Sequence, residues 1–237
     1  MEGTPIAPSW VAPARGFYQR YGKRWLDLAF TIPAFLVLLP VLLFLSLLVL
    51  VKLGAPVMFR QQRIGLNGQI FRLNKFRTMT NARDACGALL PDAERLTSFG
   101  LFLRRWSLDE LPQLLNVIRG EISLIGPRPL LVRYLPRYTA RQRRRHLVRP
   151  GITGWAQING RNLLSWEERF EHDLWYVEHC DLRLDLKILF RTVVGYFGPD
   201  TTVSTGGKDL DEFWGEQGPP PAGPRGFPAD ETAESFR

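Results

Sequence analysis

Hydrophobic and polar positions follow three patterns along this chain. From Leu28 to Val51 no residue is charged and nearly all are apolar. Such a run exceeds the roughly 18 apolar residues that mark a membrane helix. It starts too far from Met1, with no small-residue cleavage site after it, to read as a signal peptide. Pro33 and Pro40 interrupt it, and an internal proline removes a hydrogen bond and bends a helix. Arg15, Arg20, Lys23 and Arg24 precede the run, and Lys52, Arg60 and Arg63 follow it. Positive flanks stay on the cytoplasmic side, so basic ends on both sides favour a helix that bends near Pro40 and re-enters its own leaflet. Asp27, just before the run, is either a partner for Lys23 or Arg24 or a plain charged flank.

The second pattern has period two. Val57 to Phe76 predicts a β-hairpin around Asn67-Gly68, where both positions tolerate positive φ. Its second strand places Phe71, Leu73, Lys75 and Arg77 on one face. Lys75 and Arg77 then form either a two-cation grip on a diphosphate or a solvated edge whose lysine discourages aggregation.

The third pattern is helical. Ser107-Leu-Asp-Glu110 fits a capping box, with Ser107 as N-cap and Glu110 reaching back to its amide. Pro112 suits a helix start, and Leu111, Leu114, Leu115 and Ile118 make a buried stripe. Ser165 and Glu168 open a second helix running to about Cys180. Residues 80–100 carry little signal, and Asp84, Asp92 and Glu94 read as solvated surface. The predicted fold class is α/β, mostly helical with a small β-hairpin or sheet, behind an N-terminal kinked re-entrant membrane helix. The expected organisation is a flexible tail at 1–19, the membrane helix at 20–53, a cytoplasmic catalytic domain at 54–198 and a disordered tail at 199–237. Both tails are rich in proline with alanine or glycine, and bury too little apolar surface to order themselves.

Composition adds sign. The net charge of +8 favours anionic partners, whether nucleic acid, lipid or phosphorylated substrate. The densest basic cluster, Arg141 to Arg149, suits anionic headgroups better than RNA in a chain with an apolar run. The two cysteines and three histidines show no ligand spacing, which argues against a zinc module. Trp155, Trp166 and Trp175 suit either a membrane interface or a core.

The candidate chemistry lies at Asp109 and Glu110, between Arg104 and Arg105 on one side and Arg119 and Arg128 on the other. A helix start stabilises an ionised carboxylate, and an ionised aspartate can act as a nucleophile or hold a divalent cation. Capping and the helix dipole explain the same two residues without chemistry. Arg128 stands between two prolines in Gly126–Pro129, which stiffens its backbone and suits a fixed phosphate contact.

Four motifs in order, KFRTM (Lys75–Met79), SLDELPQLLNV (Ser107–Val117), GPRP (Gly126–Pro129) and RPGITGWAQINGRN (Arg149–Asn162), resemble the bacterial sugar transferases. These are monotopic phosphoglycosyl transferases, and the resemblance covers about residues 20 to 197. It implies transfer of a phosphosugar from a UDP-sugar to polyprenol (undecaprenyl) phosphate, releasing UMP and starting lipid-linked glycan or exopolysaccharide assembly. It implies Asp109 as the nucleophile of a covalent phosphosugar intermediate, Glu110 as its required neighbour, and Mg²⁺ bridging Asp109 and the phosphates. Lys75 and Arg128 fall on the phosphate-binding positions, and Arg77 joins them in the substrate-binding set. The implied location is the cytoplasmic face of the bacterial inner membrane, held by Leu28–Val51 and Arg141–Arg149, with no nucleic acid as partner. One departure is Leu39-Pro40, where the family often has Ser-Pro at the helix break. No multi-span region precedes residue 20, which matches the minimal form. Two competing readings are a membrane-tethered RNA- or lipid-binding module, and a one-span enzyme that transfers sugar alone and releases UDP.

Overall fold

The computed structural model describes residues 16–160, 163–197 and 213–215. A wide turn at Tyr18–Gly22 leads into α1, Lys23–Leu53, so helical structure starts within the expected N-terminal tail. α1 has 31 residues and runs through Pro33 and Pro40 without interruption. At ~1.5 Å per residue it is about 46 Å long, more than a bilayer's hydrocarbon core of about 30 Å. Its buried positions are Lys23, Asp27, Thr31, Leu42, Leu45 and Val49. Those steps trace one helical stripe that faces the rest of the protein at both ends of the helix. The other faces expose Ile32, Leu36, Val37, Leu43, Phe44, Leu47 and Val51.

The hairpin forms as predicted. β1, Met58–Ile64, pairs antiparallel with β2, Ile70–Phe76, from Met58 opposite Phe76 to Ile64 opposite Ile70. Asn67 and Gly68 take φ values of 55° and 79°, the left-handed pair that an Asn-Gly turn accommodates. Phe71 and Leu73 pack on Val117 and Ile122, while Phe76 joins Leu42, Leu45, Val49 and Leu103. One face of the hairpin is thus covered by Val117 and Ile122, and the Phe76 end of the other face packs against α1.

A single turn, α2 (Asp92–Arg95), precedes α3, Ser98–Arg105. Thr97 caps α3 by accepting from the Gly100 amide, and α3 contributes Leu103 to the contact with α1. Gly100 lets α3 lie on Thr78, whose carbonyl would be 1.8 Å from an added Cβ. The next helix, α4, spans only Gln113–Arg119; it buries Leu114 of the predicted stripe and adds Val117, while Leu111, Leu115 and Ile118 are half-buried. Its last-turn carbonyls, Val117 and Ile118, accept from the Arg24 guanidinium of α1 at 2.5 and 2.6 Å.

β3, Ser123–Ile125, pairs parallel with β4, Gly151–Thr153, a second sheet too short to leave a periodic signature. Between them lie a 3₁₀ segment, Val132–Arg137, and α5, Ala140–Arg143. α6 (Trp155–Ile158), α7 (Trp166–His179) and α8 (Leu182–Phe197) complete the order, and α7 opens with the predicted Ser165–Glu168 capping box. Trp166 joins an aromatic core, whereas Trp155 and Trp175 stack on each other with centroids 4.7 Å apart.

Polar groups fasten the start of α1. Asp27 is fully buried and accepts from Ser123 Oγ at 2.8 Å and from the Leu124 amide at 3.0 Å, so it is a strand anchor rather than a charged flank. Lys23 Nζ donates to Asp185 Oδ2 at 2.6 Å and to the Tyr176 hydroxyl at 2.8 Å. Within the segment expected as a C-terminal tail, Phe213–Gly215 alone are described, and Phe213 is buried beside Tyr134, Tyr138 and Phe170. The remainder of both expected tails lies outside the described residues.

Candidate active site

Three chain segments converge on the carboxylate pair: the end of β2, the turn after α3, and the loop Gly126–Pro129. The turn is not the predicted capping box. Ser107 is left-handed (φ 50°) and makes no side-chain cap, and Leu108–Glu110 form a 3₁₀ turn. A non-glycine residue at positive φ is uncommon and stores local strain. The true helix starts later, after Pro112. Glu110 therefore has no N-cap amide to reach. Its Oε1 instead accepts from Lys75 Nζ at 2.7 Å and from Arg128 Nη2 at 3.3 Å.

Asp109 is buried, with Oδ2 3.9 Å from Lys75 Nζ. Lys75 thus stands between the two carboxylates but favours Glu110. The electrostatics separate the pair. Burial pushes the Asp109 carboxyl above the ordinary aspartate range, and Lys75 opposes this only in part. Burial also acts to raise Glu110, but Arg128 and Lys75 outweigh it and hold that carboxyl down to about 2. One acid is firmly anionic and cation-bound, and its neighbour is a less stabilised carboxylate. Arg104, which donates to Thr78 Oγ1 at 3.0 Å, adds a further attraction toward Asp109.

Arg77 does not join Lys75. It lies just past the end of β2, and its guanidinium donates to the carbonyls of Leu53, Gly54 and Ala55. These carbonyls lie at and just past the C-terminus of α1, where helix acceptors are left unpaired and a cation also complements the helix dipole. The paired projection from period two fails because the strand ends at Phe76.

The basic cluster is also redistributed. Arg141 pairs with Glu171 at 2.6 Å, Arg144 with Glu178 at 3.0 Å, and Arg145 with Asp173 at 2.6 Å. Arg149 donates to the Gly120 carbonyl. Rather than one cationic sheet for headgroups or RNA, the segment lies against the acidic side of α7. A sequence run does not tell which guanidinium points inward.

Two arginines that the motifs did not single out support Arg128. Arg145, almost fully buried, also donates to the Arg128 carbonyl at 2.8 Å. Arg63 donates to the Pro129 carbonyl at 3.3 Å, and burial, then the nearby Arg128, draws its pKa down to about 10. The second had a faint signal in the alternation of β1. The first had none, because its partner Asp173 lies 28 residues away on α7.

No cluster of three or more metal-ligating side chains occurs among the described residues. Mg²⁺ does not need one, since one or two carboxylates and substrate phosphates usually complete its shell. Asp109, buried and incompletely neutralised beside Glu110, suits that kind of site.

Residues 18–198 match the family model described as bacterial sugar transferase. The chain is 57% identical to the "Uncharacterized sugar transferase EpsL" of Bacillus subtilis (strain 168), across 72% of this chain and 85% of that protein. It is 41% identical to the "UDP-glucose:undecaprenyl-phosphate glucose-1-phosphate transferase" of Escherichia coli (strain K12), across 81% of this chain but 44% of that protein. The "Exopolysaccharide production protein ExoY" of Sinorhizobium fredii (strain NBRC 101917 / NGR234) is 39% identical, across 72% of this chain and 83% of its own length.

Proposed function

The chain belongs to the bacterial sugar transferase family, and we propose that it is a phosphoglycosyl transferase. It moves a phosphosugar from a UDP-sugar to polyprenol phosphate, releases UMP, and opens assembly of a lipid-linked glycan such as an exopolysaccharide. The donor and acceptor classes are those in the name of the Escherichia coli relative. The observation that carries the reading is the division of labour at the turn: Glu110 is clamped by Lys75 and Arg128, and the adjacent buried Asp109 is not. Capping, the ordinary explanation of such a pair, does not operate here.

In the proposed reaction, an Asp109 carboxylate oxygen attacks the phosphorus that carries the sugar. The bond from that phosphorus to the bridging oxygen breaks, and UMP leaves with the electron pair. Polyprenol phosphate then attacks the same phosphorus, and the acyl phosphate bond breaks to return the carboxylate. Two steps let a water-soluble donor and a lipid acceptor use one site in turn. Lys75 and Arg128, already converging on Glu110, supply positive charge where the diphosphate's anionic oxygens must come. Mg²⁺, when bound by Asp109, offsets the repulsion between carboxylate and diphosphate.

We place the protein on the cytoplasmic face of the inner membrane, with α1 entering one leaflet. Both ends of α1 pack on the same folded body, through Asp27 on β3 and through Leu42, Leu45 and Val49 on β2 and α3. Attachment at both ends favours shallow entry over a full crossing, and the remaining faces of the helix are apolar and exposed. α3 exposes Leu101 and Phe102, packs on α1 and leads into the Asp109 turn, so the site lies near the lipid-facing side. With Trp10 changed to Cys, an impermeant thiol reagent added to sealed right-side-out cells is expected to spare that position and the exposed Cys86 alike. Labelling of residue 10 from outside, with Cys86 protected, refutes one-leaflet entry.

The reaction is tested by nucleotide release. The protein in nanodiscs, with Mg²⁺ and polyprenol phosphate, is offered a panel of UDP-sugars. Lipid-dependent UMP from one of them is expected. UDP points instead to simple sugar transfer, and silence from folded protein defeats the assignment.

A further inference from the structure

The loop that carries Arg128 continues into the 3₁₀ segment Val132–Arg137, and that segment rests on an aromatic cluster completed from far along the chain. The ring of Phe213 lies 5.0 Å from Phe170, 5.3 Å from Trp166, 5.7 Å from Tyr138 and 5.8 Å from Tyr134, centroid to centroid. It is 4% exposed. The Phe213 carbonyl accepts from Arg137 Nη1, and the Arg137 guanidinium lies 4.3 Å over the Trp214 ring. Gly215 follows at φ 73°, where a Cβ would come within 2.7 Å of the Arg137 carbonyl. Ring, carbonyl, second ring and missing side chain each meet a matching feature, three of them on Arg137.

The opposite side of this cluster reaches the site. Ile64 and Leu130 belong to it, and the Ile64 amide donates to the Leu130 carbonyl at 3.3 Å. Next to each in sequence, Arg63 donates to the Pro129 carbonyl. Leu130 is two residues from Arg128. The aromatic cluster is therefore the floor beneath the segment that aims Arg128 at Glu110, and Phe213 is the part of it supplied by the C-terminal segment.

We propose that Phe213 and Trp214 form a C-terminal clamp that seats residues 130–137 and thereby positions the Arg128 guanidinium. Phe213 is a positioning residue, not a catalytic one. The consequence for catalysis rests on the proposed phosphoglycosyl transfer, whereas the clamp itself does not. Removing one ring from this cluster opens the structure locally, because stability is not uniform along a fold. Arg128, released from a fixed backbone, then spends less time at the phosphate, and misplacement on that scale lowers rate substantially.

The test uses the full chain with Phe213→Ala, Phe213→Leu, Arg128→Ala and the double variant Phe213→Ala/Arg128→Ala. In Phe213→Ala, amide exchange across residues 130–137 is expected to quicken at least about tenfold while β2 stays protected. Unchanged exchange overturns the clamp. In turnover, Phe213→Ala is expected to lose about ten- to a hundredfold in kcat/KM, with Phe213→Leu between it and the parent. The double variant is expected to be no slower than Arg128→Ala alone, because the clamp acts through Arg128. Losses that multiply instead overturn the positioning role. If the parent protein is inert toward every nucleotide sugar, the function fails, and the exchange result alone supports or refutes the clamp.

Discussion

Asp109→Asn is expected to abolish turnover and to prevent any covalent phosphosugar from forming. The substitution is nearly isosteric, so the 3₁₀ turn and the left-handed Ser107 before it are retained. What changes is chemistry. An amide oxygen is a far weaker nucleophile than a carboxylate, and the amide also gives up the negative charge that would hold Mg²⁺. Loss of the proposed nucleophile is expected to cost on the order of 10³-fold or more in kcat, comparable with removing one member of other catalytic units. The neighbouring Glu110 does not substitute, because Lys75 at 2.7 Å and Arg128 at 3.3 Å already engage its carboxylate and hold it low in basicity. Incubation with a donor sugar in the absence of lipid, followed by intact-protein mass measurement, reads the step directly. The parent chain gains the mass of a phosphosugar and the variant does not. An adduct on Asp109→Asn, or full turnover by it, removes the nucleophile assignment.

The second large effect is on stability. Lys23→Met is expected to destabilise the folded protein by about 3–5 kcal/mol, the cost typical of breaking a buried ion pair from one side. Asp185 is completely buried and collects three donors: Lys23 Nζ at 2.6 Å and the hydroxyls of Tyr18 and Tyr176 at 2.5 and 2.6 Å. Without the ammonium, two neutral hydroxyls remain to hold a carboxylate inside the junction of α1, α7 and α8. Adding Asp185→Leu to Lys23→Met is expected to recover most of the loss, since a buried pair replaced by apolar groups often breaks even. Denaturant midpoints in one detergent give the comparison. A single variant as stable as its parent would show that Asp185 is satisfied without Lys23.

Some of this architecture is legible before any coordinates. The hairpin is written in the alternation of its strands and in Asn67-Gly68, both local signals. The start of α7 is likewise local, because a capping box closes within four residues. The same local pattern at Ser107–Glu110 misleads, and the reason is distance: Lys75 lies 35 residues away, and its charge outcompetes the amide that the pattern implies. The carboxylate pair and Arg128 could be singled out by motif, but not how charge divides between the two acids. Arg77 illustrates a different limit, since a strand's face pattern ceases to apply one residue beyond its end. β3 and β4 are three residues each, shorter than any window that reports periodicity. Phe213 sat in a stretch whose proline and glycine content masked one well-placed ring.

α1 packs on the folded body at both of its ends. Cutting the chain after Leu53 would strip Asp27 from β3, Leu42, Leu45 and Val49 from the core beneath β2, and Arg24 from the end of α4. The remainder would carry a raw hydrophobic trench in place of a finished surface. A water-soluble form is therefore to be sought by recolouring, not by deletion. Polar side chains written onto Leu36, Val37, Leu43, Phe44, Leu47 and Val51 would leave the inward stripe whole while removing the exposed apolar surface that the proposed one-leaflet entry requires. In this chain the proposed anchor is also masonry.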